Sequence, residues 1–107
     1  MISTKSTIGS NYLTNGISLS PNVPTAGEKV KIVYDGLLAQ SGATDLSVRV
    51  GFGDDWNSVG EYRMTKTSEG FTASIPVADS DIMNVCFKDS ANNWDNNSGS
   101  DYTFDIR

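Results

Sequence analysis

Beyond residue 16, apolar and polar residues alternate with a period of two in short runs separated by turn-forming clusters. Ile17-Ser18-Leu19-Ser20 alternates and is closed by Pro21, with Pro24 beyond. Lys29 to Asp35 places Val30, Ile32 and Tyr34 on one face. Leu46 to Phe52 does the same with Leu46, Val48, Val50 and Phe52, leaving Ser47, Arg49 and Gly51 opposite. Gly60 to Lys66 reads as a mixed edge strand. Gly70 to Ile75 turns Phe71, Ala73 and Ile75 inward, and Ile82 to Lys88 is the most apolar run, predicted central. Asp101 to Ile106 closes the chain with Tyr102, Phe104 and Ile106 on one face. Asp35 to Ala43 has room for a helical turn, but Gly36 and Gly42 argue against more. About seven short strands without a convincing helix predict an all-β, immunoglobulin-like antiparallel β-sandwich. The Cys…Trp…Cys signature of antibody domains is missing, so the likeness is one of architecture. Residues 1–16, rich in Ser, Thr, Asn and Gly, read as a flexible leader or linker remnant ahead of a module spanning 17–107.

Composition narrows the function. A chain of 107 residues is one domain with a modest core that folds without metal or disulfides. The single cysteine, Cys86, permits no internal disulfide and lies in an apolar run, where it reads as a buried small hydrophobe. No histidine is present, which removes the Ser-His and Cys-His nucleophile pairs and the commonest metal ligand. A formal charge of −5 makes nucleic acid an unexpected partner. No apolar run has the ~20 residues of a membrane span. The first residues lack the apolar core of a signal peptide, which leaves the compartment open, with an extracellular or cell-surface setting favoured.

Two tryptophans fall between predicted strands: Trp56 in Gly53-Asp54-Asp55-Trp56-Asn57, and Trp94 in Asn92-Asn93-Trp94-Asp95-Asn96-Asn97. A large ring among turn residues either folds back as a lid on the core or waits for a ligand with a flat face. Asn and Asp beside Trp94 supply donors and acceptors at short reach, a pairing that suits a sugar ring. Arg49 projects from the polar face of its strand, either toward a hydroxyl or simply into solvent. Asp54, Asp55 and Asp95 suggest a glycosidase acid and base, but that chemistry needs a buried carboxyl of raised pKa, and these lie in Gly- and Asn-rich loops. Asp89, Asp95, Asn96 and Asp101 offer oxygens to calcium, but their spacing fits no defined loop and Asx turns explain the same residues. No catalytic residue, metal or cofactor is expected. Asn96-Asn97-Ser98 matches a glycosylation acceptor, a pattern frequent by chance.

Three stretches then match one family in order. Pro24-Thr25-Ala26-Gly27-Glu28-Lys29-Val30-Lys31-Ile32-Val33-Tyr34, Val48 to Trp56, and Phe87-Lys88-Asp89 followed by Trp94-Asp95-Asn96-Asn97-Ser98-Gly99-Ser100-Asp101-Tyr102 resemble the starch-binding carbohydrate-binding modules of family 25 and the related family 53. The last stretch is the most specific, and the match covers roughly residues 17–107. The resemblance implies a non-catalytic sandwich that docks α-glucans such as starch, glycogen and malto-oligosaccharides, normally as part of a larger multidomain protein. It implies ligand contact by Trp56 and Trp94, with Asp95, Asn96 and Asn97 as the polar run beside the second ring. Family members often carry a His on the strand before the first Trp; here Arg49 takes that place, with different reach and a permanent charge. Tyr102 matches by position, but its alternation assigns it to structural support. A different class of reading is a sandwich domain for protein–protein adhesion or surface display, with the two tryptophans at the interface.

Overall fold

Period-two alternation resolves into two antiparallel sheets packed face to face. A computed structural model describes residues 12–107. The strands are β1 (Ile17–Ser20), β2 (Lys29–Tyr34), β3 (Leu46–Phe52), β4 (Asn57–Arg63), β5 (Thr65–Thr67), β6 (Gly70–Pro76), β7 (Ile82–Asp89), β8 (Trp94–Asp95) and β9 (Tyr102–Asp105), with one helical turn, α1 (Leu37–Gln40). One sheet runs β1-β2-β6-β5. The other runs β4-β3-β7-β8, with β9 also paired to β7. The expected core faces are the observed ones: Val30, Ile32 and Tyr34 of β2 and Leu46, Val48, Val50 and Phe52 of β3 are buried between the sheets. Burying such side chains contributes roughly 1.5–3 kcal/mol each, the main force joining the layers.

Two differences from the expected strands shape the molecule. The stretch read as one edge strand over Gly60 to Lys66 is two strands in different sheets. β4 lies at the edge of the second sheet beside β3, and β5 lies at the edge of the first beside β6. Met64, buried between them, is where the chain crosses over. A short strand, β8, is also added ahead of the closing one, β9. β8 pairs with Phe87 and Lys88, and β9 pairs with Ile82 to Val85, along the same edge of β7. Residues 96–101 loop out between them, opposite Cys86. Trp94 therefore stands on a short strand, not in a free loop.

The leader expected over 1–16 lies, for residues 1–11, outside the described residues. Tyr12 packs edge-on against Tyr102 and Phe104, at centroid distances of 4.9 and 5.4 Å. It is followed by a 3-10 turn at Leu13–Asn15, and the Gly16 carbonyl accepts from the Asp35 N–H at 2.7 Å.

Candidate functional site

The second sheet turns one face to the core and the other outward, and the outer face gathers most of the residues expected to carry chemistry. Arg49 pairs with Cys86 across β3 and β7, Gly51 with Asn84, and Lys88 with Trp94 across β7 and β8. Because side chains alternate along strands, these six share one face. Phe87 and Asp95, one residue on, point inward.

Trp56 reaches this face through an unusual backbone. It has a φ of 54°, and Ser58, two residues on, has 53°. A bulky residue in the left-handed region costs about 1–2 kcal/mol and persists only where its surroundings over-determine it. Here the determinant is Gly51. The indole of Trp56 lies over it: a Cβ at position 51 would run into Trp56 Cε3 and Cδ2. Asn84, buried in the middle of the most apolar strand, donates through Nδ2 to the carbonyls of Gly53 at 2.9 Å and Gly51 at 3.4 Å. It ties down the corner from which the Trp56 turn departs.

Trp94 is held differently. Lys88 Nζ sits 5.5 Å from the centroid of its ring, a cation–π contact, and is itself 3.5 Å from Glu61 Oε2. The turn before it is fastened by Asp89, whose Oδ1 accepts from the N–H groups of Ala91 and Asn93 and whose Oδ2 accepts from Asn93 Nδ2. The Asn93 side chain, then these backbone donors, hold the Asp89 carboxyl below its usual range. The ring remains 40 % exposed.

Trp56, Trp94, Arg49 and Asn96 line one open cavity of about 340 Å³, with Cys86, Val59 and Asp101 completing it. Asn96 enters from the loop between β8 and β9, where its Oδ1 accepts from Gly99 N–H at 3.0 Å. Burial raises the Asp101 carboxyl and pushes the Cys86 thiol up to about 11, which makes Cys86 a poor nucleophile at neutral pH.

Two of the expected contact residues stand elsewhere. Asp95 is a correction: it is 7 % exposed, and its oxygens accept from Tyr34 Oη at 2.6 Å and Tyr102 Oη at 2.8 Å. Tyr34 Oη in turn accepts from Leu38 N–H at 3.0 Å. Desolvation first, and the bond to Asp95 second, raise both phenols above their normal value. With both oxygens occupied inside the protein, Asp95 is an internal clamp. Tyr102, expected as structural support, is its partner. Asn97 donates through Nδ2 to the Asp101 carbonyl at 3.0 Å and faces a neighbouring cleft on the far side of Trp94.

Asn84, Lys88 and Val59 were not singled out from the sequence. Asn84 alone carried a legible signal, as an amide in the middle of an apolar run. Among the described residues, no group of three or more His, Cys, Asp or Glu side chains is placed to hold a metal ion.

Comparison with known proteins supplies a class for the chain. A family model described as starch/carbohydrate-binding module (family 53) matches residues 30–85. It is the second of the two related families that the sequence motifs resemble. No curated protein matches the chain. Among solved structures, the chain is similar to a cycloalternan-degrading enzyme from Trueperella pyogenes, with 18 % identity and a TM-score of 0.49. That match covers 89 % of this chain and 13 % of the other.

Proposed function

The chain belongs to the starch/carbohydrate-binding modules of family 53, and from that premise we propose that it docks α-glucan chains between Trp56 and Trp94 without acting on them. One observation carries the reading: both rings, the Arg49 guanidinium and the Asn96 amide border the same cavity on the outer sheet face. Sugar rings present C–H faces to aromatic surfaces and hydroxyls at their rims. Two indoles bracket the apolar faces of neighbouring glucosyl units, and Arg49 and Asn96 meet the hydroxyls between them. Arg49 donates only, so it reads hydroxyl oxygens; Asn96 both donates and accepts.

The rings are set before the ligand arrives. Trp56 is seated on Gly51, and Trp94 is fixed on a strand under Lys88. A preformed site loses less entropy on binding. A single open cavity gives modest affinity, and attachment to a larger multidomain protein raises the effective concentration at a polysaccharide surface.

Affinity electrophoresis tests the reading. The chain is expected to be retarded in gels containing starch or glycogen and to run freely in gels containing soluble cellulose derivatives. Trp94→Ala removes a central aromatic contact of the kind worth about 2 kcal/mol or more, a loss of roughly thirtyfold, and should abolish the retardation while the fold survives. Free migration of the unsubstituted chain in every polysaccharide would instead favour a protein partner on this face.

A further inference from the structure

Trp94 separates two hollows, and only one of them belongs to the two-ring site. On its far side lies a larger cleft of about 830 Å³, walled by the 3-10 turn at Leu13–Asn15, by α1 and by the loop after β8. Its volume falls within the range of small-molecule sites, roughly 300–1,000 Å³. Among the described residues, the exposed large apolar side chains are Leu13, Leu37, Val59 and Trp94. Leu13 and Leu37 line the far cleft, Val59 lines the two-ring cavity, and Trp94 lines both. Apolar surface open to water, gathered around one ring and interleaved with amides, marks a binding site better than scattered surface residues do.

The polar groups of the cleft suit hydroxyls. Gln40 Nε2 donates to Asp35 Oδ1 at 3.1 Å, which fixes its amide at the rim, and Asn97 is fixed through its bond to the Asp101 carbonyl. Asn96 borders both hollows. Among the described residues, no basic side chain lines the far cleft.

We infer that the far cleft is a second saccharide-binding section continuous with the first, so that one α-glucan chain crosses the edge of Trp94 and rests its apolar faces on Leu37 and Leu13. The inference rests on the two-ring reading and extends it to chain length: short oligosaccharides fill the two-ring cavity, and longer ones gain contacts beyond it.

Calorimetric titration of the full chain with maltotriose and maltoheptaose tests this, using the double variant Leu13→Ser/Leu37→Ser and, separately, Trp56→Ala. Leu13 and Leu37 are 57 % and 62 % exposed, so the double variant should melt at the same temperature as the unsubstituted chain. It is expected to bind maltotriose unchanged and to lose about tenfold in affinity for maltoheptaose, equivalent to ~1.4 kcal/mol. Trp56→Ala should weaken both sugars. If the double variant binds maltoheptaose as tightly as the unsubstituted chain while Trp56→Ala weakens both, the second section is refuted and the two-ring site stands. If Trp56→Ala leaves both affinities intact, the two-ring reading fails, and the crossing fails with it.

Discussion

Gly51 decides where Trp56 sits. The residue is buried next to the end of β3, and the indole occupies the space above its Cα. Gly51→Ala therefore puts a methyl group into the ring. Overpacking of this kind costs about 1–3 kcal/mol, and the turn carrying Trp56 gives way before the strand does. Binding of maltoheptaose is expected to weaken about tenfold, with only a small fall in melting temperature, whereas Ser47→Ala on the same strand changes neither. Equal affinity in Gly51→Ala would show that the seat of Trp56 is immaterial. Both tryptophans were readable as candidates because large rings among turn residues have no obvious core to enter. The inward turn of Asp95 was not readable. It depends on β8, a strand of 2 residues set among asparagines that shows no alternation of its own.

Asp95 matters chiefly to the elements it joins. Its two tyrosine bonds connect β8 to β2 and β9, and Tyr34 carries the link on to the backbone of α1. Phe87 of β7 stacks on Tyr34 at 4.0 Å, so the polar knot sits against the aromatic core. Asp95→Ala leaves two buried hydroxyls without their acceptor and should cost roughly 2–4 kcal/mol in urea unfolding. At a temperature where the variant remains folded, its starch affinity should fall less than that of Trp94→Ala. A stability unchanged by Asp95→Ala would contradict the clamp. The strand count was legible except where one pattern hid two elements. Gly60 to Thr67 carries no Gly or Pro at the crossing point, so nothing in its pattern announces that Met64 passes between sheets. The extra strand β8 was hidden for a related reason: its 2 residues stand among asparagines and other turn-forming residues that read as a single loop before the last strand.

At the scale of the whole molecule, the sandwich keeps the Cys86, Tyr34 and Tyr102 protons bound more tightly than the unfolded chain does. Burial first of all raises the Cys86 thiol from 9.0 to about 11 and lifts the phenols of Tyr34 and Tyr102 above their usual value of 10.0. The folded state thus holds protons that the unfolded chain releases. These contributions are fully present below pH 9 and are lost as pH rises, from Cys86 first and from the tyrosines above pH 10, at about 1.4 kcal/mol per pH unit for each titrating group. Urea melts at pH 8, 9, 10 and 11 should show a plateau and then a decline, and Cys86→Ala should remove the part of the decline below pH 10. A stability that climbs over this range would have the wrong sign. Architecture and ligand class were legible at this scale from alternation and ordered motifs. The meeting of Trp56 and Trp94 on one face was not, because it depends on β3, β7 and β8 being neighbours in the sheet.

The central claim is that the two tryptophans bind α-glucan, and both are natural probes of that event. The most direct measurement follows their fluorescence while the chain is titrated with maltoheptaose and, in parallel, with a cello-oligosaccharide of similar length. The account predicts a saturable change with maltoheptaose, absent in a Trp56→Ala/Trp94→Ala double variant, and no change with the β-linked sugar. No response to maltoheptaose, or an equal response to both sugars, would contradict it.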